Sequence, residues 1–259
     1  MKQLSREELA QFLIEKADQY AKYSFVQDDP IQIPHSFSST EDIEISGLIA
    51  ATLSWGNRKT IIAKSNDLMD RMDRSPAEFI HGASESDLET FNGFVHRTFQ
   101  SEDIKGLARS LRMLYQEHES LGGFFKAHVR EGDTHLGHSF QEFKGYLLDK
   151  GLPLRAGKHF GDPSKGSACK RLIMFTRWMV RTNKEGIDFG LWDIDPALLS
   201  LPLDVHSGRV ARSLGLLKRK QNDWKSVLEL DQSIRKIEPL DPARLDYALF
   251  GLGVYEGWK

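Results

Sequence analysis

The sequence predicts an all-α fold. Apolar residues recur at helical spacing along most of the chain, and residues that cap helices precede many of these segments. Alternation of β-branched and polar residues between turns, the pattern typical of strands, is nearly absent. The 259 residues contain no internal repeat and no low-complexity segment, so we expect packed helices around a sizeable core.

The first half of the chain starts with an amphipathic segment and continues with a more apolar one. A capping-box pattern predicts a helix over residues 5–23. A loop with two prolines, which interrupt any helix, follows before Thr40 starts the next helix. Residues 43–55 are nearly all apolar, which is typical of a helix buried on several sides. Further amphipathic segments, among them residues 86–99, extend the helical pattern to residue 150.

The second half contains a turn-rich segment and a series of helices with acidic starts. Residues 161–170 predict a turn that leads into a helix ending near Arg181. Residues 187–203 predict a connector with one short helix, in which Pro196 takes the first helical position. Acidic residues stand at the predicted starts of the last three helices, as the helix dipole favours: Asp204, Asp223 and Asp241.

The composition predicts a cytoplasmic protein with no membrane contact. Cys169 is the single cysteine, which excludes an intramolecular disulfide, a cysteine-ligated iron–sulfur cluster and a cysteine-rich zinc site. The N-terminal residues lack the apolar core of a signal peptide, and no apolar run approaches the roughly 20 residues that cross a bilayer. No cofactor is expected.

Three histidines are possible metal ligands by residue type. His128, His135 and His138 match no helical ligand spacing, so exposed or capping positions are the expected alternative. We therefore assign no metal to the chain.

Charge is unevenly distributed although the net charge is only −2. Between residues 155 and 184 one acid stands against a run of cations: Arg155, Lys158, Lys165, Lys170, Arg171, Arg177, Arg181 and Lys184. A second run follows Asp204 and contains Arg209, Arg212, Lys218, Arg219 and Lys220. One such run alone is usually a solvated face, but two runs flanking a Lys170/Asp204 pair favour a phosphate-binding surface.

The Lys170/Asp204 pair suggests chemistry on a nucleotide. A lysine amine in cationic, partly desolvated surroundings can attack the sugar C1′, expel the base and leave a Schiff base, while an aspartate stabilises the sugar cation. The predicted turn offers backbone and side-chain contacts to phosphate, and nearby cations add affinity; the candidates are Lys165, Gly166, Ser167, Arg171, Arg177, Arg209 and Arg212. A base pocket needs aromatic or polar walls, for which the candidates are Ser54, Trp55, Asn57, Phe175 and Trp178.

Three stretches resemble the helix-hairpin-helix base-excision DNA glycosylases. LPLDVHSGRVARSLGL resembles the segment that carries the family's catalytic aspartate, which implies that role for Asp204. PSKGSACKRLIMF resembles the hairpin and the helix with the lyase lysine, which implies that role for Lys170. LIAATLSWGNRKTI resembles a third family helix, with Ser54 at its serine and Gly56 where glutamine is common.

The 34-residue separation of Lys170 and Asp204 is closer to the archaeal 8-oxoguanine glycosylase branch than to endonuclease III. The whole chain looks most similar to an uncharacterised bacterial family of that superfamily. The resemblance implies a two-lobed helix-hairpin-helix DNA glycosylase-like fold. One lobe would contain residues 1–38 and 187–259, the other residues 39–186, and a DNA cleft would lie between them.

The implied function is a glycosylase with abasic-site lyase activity on a damaged purine, oxidised guanine above all, in double-stranded DNA. A monomer is expected, although the sequence leaves the oligomeric state open. Two other functions stay open: a glycosylase-derived DNA-binding protein without catalysis, and a helical protein-interaction module. Lys170 could be a plain surface cation, Asp204 only an N-cap, and Trp55 and Trp178 core residues.

Overall fold

A computed structural model describes residues 5–182 and 184–258, and it confirms the all-α prediction. The α-helices are α1 (Arg6–Tyr20), α2 (Ser24–Gln27), α3 (Thr40–Leu53), α4 (Arg58–Arg71), α5 (Pro76–Gly82), α6 (Ser101–His118), α7 (Leu121–Ala127), α8 (Gly137–Asp149), α9 (Lys170–Val180), α10 (Val205–Ser213), α11 (Trp224–Ile234) and α12 (Asp246–Val254). Short 3-10 helices lie between them at Pro30–Gln32, Pro34–Ser36, Asp87–Phe91, Leu154–His159, Pro163–Lys165, Pro196–Leu198 and Pro242–Leu245.

The two ends of the described chain pack against each other. α1 begins at the predicted capping box, in which Ser5 and Glu8 exchange hydrogen bonds, but it ends at Tyr20, earlier than predicted. α1 lies along α12, where the ring of Tyr20 covers Gly251. A Cβ at Gly251 would lie 2.0 Å from that ring, so the contact requires glycine.

The predicted core helix, α3, lies at the centre of the fold. All its residues from Ile43 to Leu53 are buried, and α9 packs against it. Glu44 is the buried carboxylate of this helix, and it accepts hydrogen bonds from the Tyr115 hydroxyl at 2.7 Å and the Trp192 indole at 2.6 Å. Its polar atoms are thus satisfied, which burial of a carboxylate requires.

Residues 86–99 do not form the amphipathic helix that the sequence predicted. They contain the 3-10 helix Asp87–Phe91 and then two short antiparallel strands, β1 (Val95–His96) and β2 (Phe99–Gln100). His96 pairs with Phe99, and both side chains are buried. Asn92-Gly93, a strong turn signal, breaks the helical period here, and Gly93 adopts a left-handed φ of 76°.

The turn before α9 forms as predicted. Asp162 caps the 3-10 helix Pro163–Lys165 and accepts a hydrogen bond from the Ser164 backbone at 3.0 Å. Gly166 follows with a left-handed φ of 80°, and its carbonyl accepts the Trp224 backbone N–H at 3.1 Å. The turn is therefore tied to the start of α11.

The predicted short helix at Pro196 is confirmed as a 3-10 helix capped by Asp195. The division into lobes at residues 38/39 and 186/187 stays a prediction. None of the helices in residues 5–182 and 184–258 is long and apolar enough to cross a membrane.

Candidate active site

A cavity of about 1210 Å³ lies where α9, α10 and α12 meet the N-terminal segment and the loop between α3 and α4. Four of its lining side chains carry a phenyl, phenol or indole ring: Phe25, Trp55, Tyr247 and Phe250. Five are cations: Arg58, Lys158, Lys170, Arg171 and Arg177. Three are carboxylates: Asp29, Asp204 and Asp246.

Lys170 and Asp204 face each other on this wall. The Lys170 Nζ lies 2.7 Å from Asp204 Oδ2, and the two side chains are 38 % and 27 % exposed. Lys170 is the first residue of α9, and Asp204 is the N-cap of α10. The structure thus brings together the two residues for which the sequence suggested chemistry.

The start of α10 fixes the Asp204 carboxylate. Its Oδ1 accepts the backbone N–H groups of His206 and Ser207 at 2.8 and 2.9 Å, while the Ser207 hydroxyl accepts the Asp204 N–H at 2.9 Å. Burial raises the pKa of Asp204, but Lys170 and these backbone groups outweigh that effect and hold the pKa below its ordinary value. Asp204 is therefore ionised at neutral pH, with Oδ2 directed to Lys170.

The predicted pocket residues of the α3–α4 loop line the cavity. Ser54 donates its hydroxyl to the Ala50 carbonyl at 2.7 Å, and Asn57 caps α4 by accepting the Thr60 N–H at 3.2 Å. Trp55 is half-buried between them and also lines the cavity. Local hydrogen bonds thus hold this loop in place, with the indole available on the wall.

Phe175 and Trp178 are not part of the cavity wall, contrary to the prediction. Both are fully buried, because the apolar stripe of α9 on which they lie faces the core. Trp178 is thus a core residue, which was the alternative left open.

Arg177 was predicted to contact DNA phosphate, but it is only 3 % exposed and cannot reach a DNA backbone. It pairs with Asp188 at 3.4 Å and with Asp246 beneath the cavity. Its charge is neutralised within the protein rather than offered to a ligand.

Arg171 lies in the cavity as predicted and stacks on Trp55, with the guanidinium carbon 4.9 Å from the ring centroid. It donates to the Thr52 carbonyl at 2.8 Å. Burial lowers the pKa of Arg171 to about 10, a cost that an anionic ligand would relieve.

The other predicted phosphate contacts are dispersed. Ser167 lines the cavity, whereas Lys165 and Gly166 are exposed on the adjoining turn and Arg209 is exposed on α10. Arg212 is not free to bind DNA in this arrangement, because it donates to the Arg219 carbonyl at 2.7 Å and to the Asn222 side chain at 2.7 Å. Arg212 instead orders a loop.

The loop that Arg212 orders, residues 219–222, holds the backbone of Asp204 in place. Asn222 Nδ2 donates to the Asp204 carbonyl at 2.8 Å, so Arg212 acts on the site through Asn222. The basic run after Asp204 is therefore partly structural.

Three cations of the wall, Arg58, Lys158 and Arg171, have no carboxylate within ion-pair distance among residues 5–182 and 184–258. Arg58 lies over the Phe250 ring, 5.5 Å from its centroid. Neither Arg58 nor Phe250 was singled out from the sequence. Arg58 still interacts electrostatically with Asp29, whereas Lys158 and Arg171 carry positive charge with no carboxylate partner in the described chain.

His159 and Cys169 are neutral lining residues. Burial, followed by the charges of Arg171 and Lys158, lowers the pKa of His159 to about 4, and its ring lies tilted against Trp55 with the ring centroids 5.0 Å apart. Burial raises the pKa of the Cys169 thiol to about 12, so this thiol is a poor nucleophile at neutral pH. Of the two lysine amines on the wall, Lys170 is the one that lies within hydrogen-bond distance of a carboxylate, and it is the candidate nucleophile.

Sequence reasoning missed the wall formed by α12, namely Asp246, Tyr247 and Phe250. These residues belong to an apolar segment near the C-terminus, and in the sequence they look like core. No group of metal-ligating side chains is present in the described part of the chain.

Residues 29–255 match the family described as a protein of unknown function, DUF2400. The chain belongs to this family. The matched region contains Lys170, Asp204 and Asp246, so the chemical groups of the site lie within the family's shared sequence region. Comparison with curated proteins and with solved structures returned no match.

Proposed function

We propose that the protein is a base-excision DNA glycosylase with abasic-site lyase activity, acting on a damaged purine, with oxidised guanine as first candidate. The observation that carries the proposal is the Lys170 Nζ–Asp204 Oδ2 contact of 2.7 Å on the cavity wall. An amine beside a carboxylate is what cleavage through a Schiff base needs. The resemblance to helix-hairpin-helix glycosylases assigns these roles to the same two residues.

Lys170 would be the nucleophile. As the bond from C1′ to the base breaks, the ionised Asp204 faces the developing sugar cation, and its Oδ2 is close enough to accept a proton from Lys170 Nζ when the amine lone pair attacks C1′. The ammonium adduct then passes a proton to the sugar-ring oxygen as the ring opens, which leaves an imine between Lys170 and C1′. The imine permits elimination of the 3′ phosphate.

Asp204 would also stabilise the positive charge that develops on the sugar as the base departs. Its carboxylate is ionised and held by two backbone N–H groups, so it needs no reorganisation during the reaction. A fixed charge in a partly buried site is more effective than one in water.

The DNA backbone would contact the cations of the wall that have no carboxylate at ion-pair distance. Lys158 is exposed, and Arg58 and Arg171 are held over aromatic rings, so each can face a phosphate. At about 1210 Å³ the cavity is larger than the roughly 300–1,000 Å³ of small-molecule pockets. That volume suits a nucleotide together with part of its backbone.

A purine extruded from the duplex would lie against the aromatic wall. Trp55 in the α3–α4 loop and Phe250 on α12 supply stacking surfaces, since an extruded base loses its stacking in the duplex and needs a replacement. Of the three aromatic candidates named from the sequence, Trp55 is the one that lines this pocket.

The test is reduction of the Schiff base with borohydride. Wild-type protein is incubated with a duplex carrying 8-oxoguanine or an abasic site, borohydride is added, and the covalent adduct is measured on a denaturing gel. We expect an adduct in the wild type and none in Lys170→Gln, because glutamine has no nucleophilic amine.

The matched control is Lys236→Gln, which removes the same charge from an exposed position that does not line the cavity. It should form the adduct as the wild type does. DNA binding without an adduct would indicate a binding protein that has lost catalysis. Absence of DNA binding at low salt would favour the protein-interaction alternative.

A further inference from the structure

A further carboxylate, Asp246, lines the cavity that contains Lys170 and Asp204. It is the first residue of α12, and its side chain is 11 % exposed. Its Oδ2 accepts a hydrogen bond from Arg177 Nη1 beneath the cavity. Asp246 is therefore anchored on one side and open to the cavity on the other.

The charged groups around Asp246 come from several elements. α9 supplies Arg177 and Lys170, and α10 supplies Asp204. Asp29, in the N-terminal segment, lines the same cavity and interacts electrostatically with Arg58, Arg177 and Lys170. Arg177 is shared with Asp188, so its charge does not serve Asp246 alone.

This arrangement separates the two carboxylates of the α10–α12 wall. Burial raises the pKa of Asp246 to about 6, Arg177 opposes the shift, and the nearby Asp204 charge adds to it. The pKa of Asp204 is lowered. Two carboxylates in one cavity with pKa values moved in opposite directions are typical of a site with one acid and one anion.

We propose that Asp246 is the general acid that protonates the base as it leaves C1′, an inference that rests on the proposed glycosylase function. As the C1′–N bond breaks, the ionised Asp204 stabilises the sugar, and Lys170 then passes a proton to Asp204 and forms the bond to C1′. The electron pair of the C1′–N bond leaves with the base, which takes the Asp246 proton at a ring nitrogen. The products are a neutral base, the Lys170–C1′ ammonium adduct, the protonated Asp204 and the Asp246 carboxylate.

The assignment restricts the leaving group. A purine without a positive charge leaves as an anion unless it is protonated, so it needs the acid. Reaction at an abasic site has no base to expel and does not need it. Base release and abasic-site cleavage should therefore depend on Asp246 differently.

The experiment compares the two reactions in Asp246→Asn. We expect single-turnover release of 8-oxoguanine to fall by roughly 100-fold, the contribution typical of general acids, while cleavage and borohydride trapping at a preformed abasic site fall far less. In the wild type, base release should decrease as the pH rises above about 6. Asp246→Asn should lose this decrease.

The Asp246→Glu variant distinguishes loss of the acid from loss of the contact with Arg177. Glutamate keeps a carboxyl group that can donate a proton and, when ionised, can pair with Arg177. It should recover much of the base release if Asp246→Asn proves poorly folded. Base release at the wild-type rate and pH dependence in Asp246→Asn would overturn the assignment. Equal loss of both reactions in well-folded Asp246→Asn and Asp246→Glu would also overturn it.

Failure of the proposed function gives a different result. A wild-type protein that neither releases base nor forms an adduct at an abasic site would overturn the glycosylase proposal and the Asp246 assignment together. A wild type that forms the adduct and releases base, with an Asp246→Asn variant that matches it, would overturn only the assignment.

Discussion

At the scale of single residues, Asp204 combines two tasks through its two carboxylate oxygens. Oδ1 caps α10 through the backbone of His206 and Ser207, and Oδ2 faces Lys170. The alternative of a plain N-cap is thus correct as far as it goes. The cap also aligns the second oxygen, so the structural role and the proposed chemical role are compatible.

Substitution can separate the two tasks of Asp204. Asparagine caps helices as well as aspartate does, so Asp204→Asn should cost only the pair with Lys170, about 1 kcal/mol or less. Asp204→Ala should cost about 1 kcal/mol more, because the cap is lost. Both should reduce base release by roughly 100-fold, since neither provides the anion. Urea unfolding and single-turnover assays measure the two effects.

The pH dependence of stability provides a check on Asp204. Because its folded pKa is lowered, its ionised form stabilises the fold above the ordinary value of 3.8, and this contribution is lost as the pH falls through the lowered folded pKa. The difference in unfolding free energy between wild type and Asp204→Asn should therefore shrink in that acidic window. A difference that stays constant down to low pH would contradict the ion-pair assignment.

At the scale of elements, α12 connects the terminal helix pair to the cavity. Gly251 lets the Tyr20 ring of α1 lie on its surface, while Asp246 and Phe250 form part of the cavity wall. The position of the wall is thus determined partly by the contact between α1 and α12. This explains how an N-terminal helix distant from the chemistry in sequence can influence the site.

Two helical glycines offer a matched test of this contact. Gly251→Ala places a Cβ 2.0 Å from the Tyr20 ring and should destabilise the protein by about 1–3 kcal/mol through overpacking. Gly145→Ala on α8 meets no atom within 4 Å and should be stabilising by up to about 1 kcal/mol. Urea unfolding of both variants measures the effect, and destabilisation by both would contradict the packing argument.

Local pattern predicted the elements well where one period dominates. The capping box of α1 and the buried α3 were predicted from spacing and composition, and both are confirmed. Residues 86–99 were predicted wrongly, because a turn at Gly93 and two-residue strands are too short to give a period of their own. Short pairings depend on neighbours more than on local preference.

At the scale of the whole molecule, positive charge is concentrated at one cavity although the net charge of the chain is negative. The chain has a net charge of −2, yet Arg58, Lys158 and Arg171 line one cavity without a carboxylate at ion-pair distance in the described residues. Elsewhere many cations are paired, as Arg177 is with Asp188 and Asp246. A locally positive cavity can attract a polyanion in spite of the overall charge.

The salt dependence of DNA binding tests this distribution. Lys158→Gln should weaken binding uniformly across sequences and reduce the slope of log K against log salt by about 0.9, because one phosphate contact is lost. Lys236→Gln, which removes a charge that does not line the cavity, should leave the slope unchanged. Fluorescence anisotropy with a labelled duplex at several salt concentrations measures both, and equal slopes in all proteins would contradict the contact.

The helical class, several helix caps and the two residues proposed for catalysis were predicted from the sequence, because these depend on local spacing and residue type. The sequence could not tell which cations face the cavity: Arg177 and Arg212 are held by internal partners, and Phe175 and Trp178 are in the core. Only the tertiary structure placed Asp246 and Phe250 in the same cavity as Lys170, because this arises from packing of helices distant in the chain. Partners far apart in sequence leave no local pattern, so their juxtaposition becomes visible only in the folded protein.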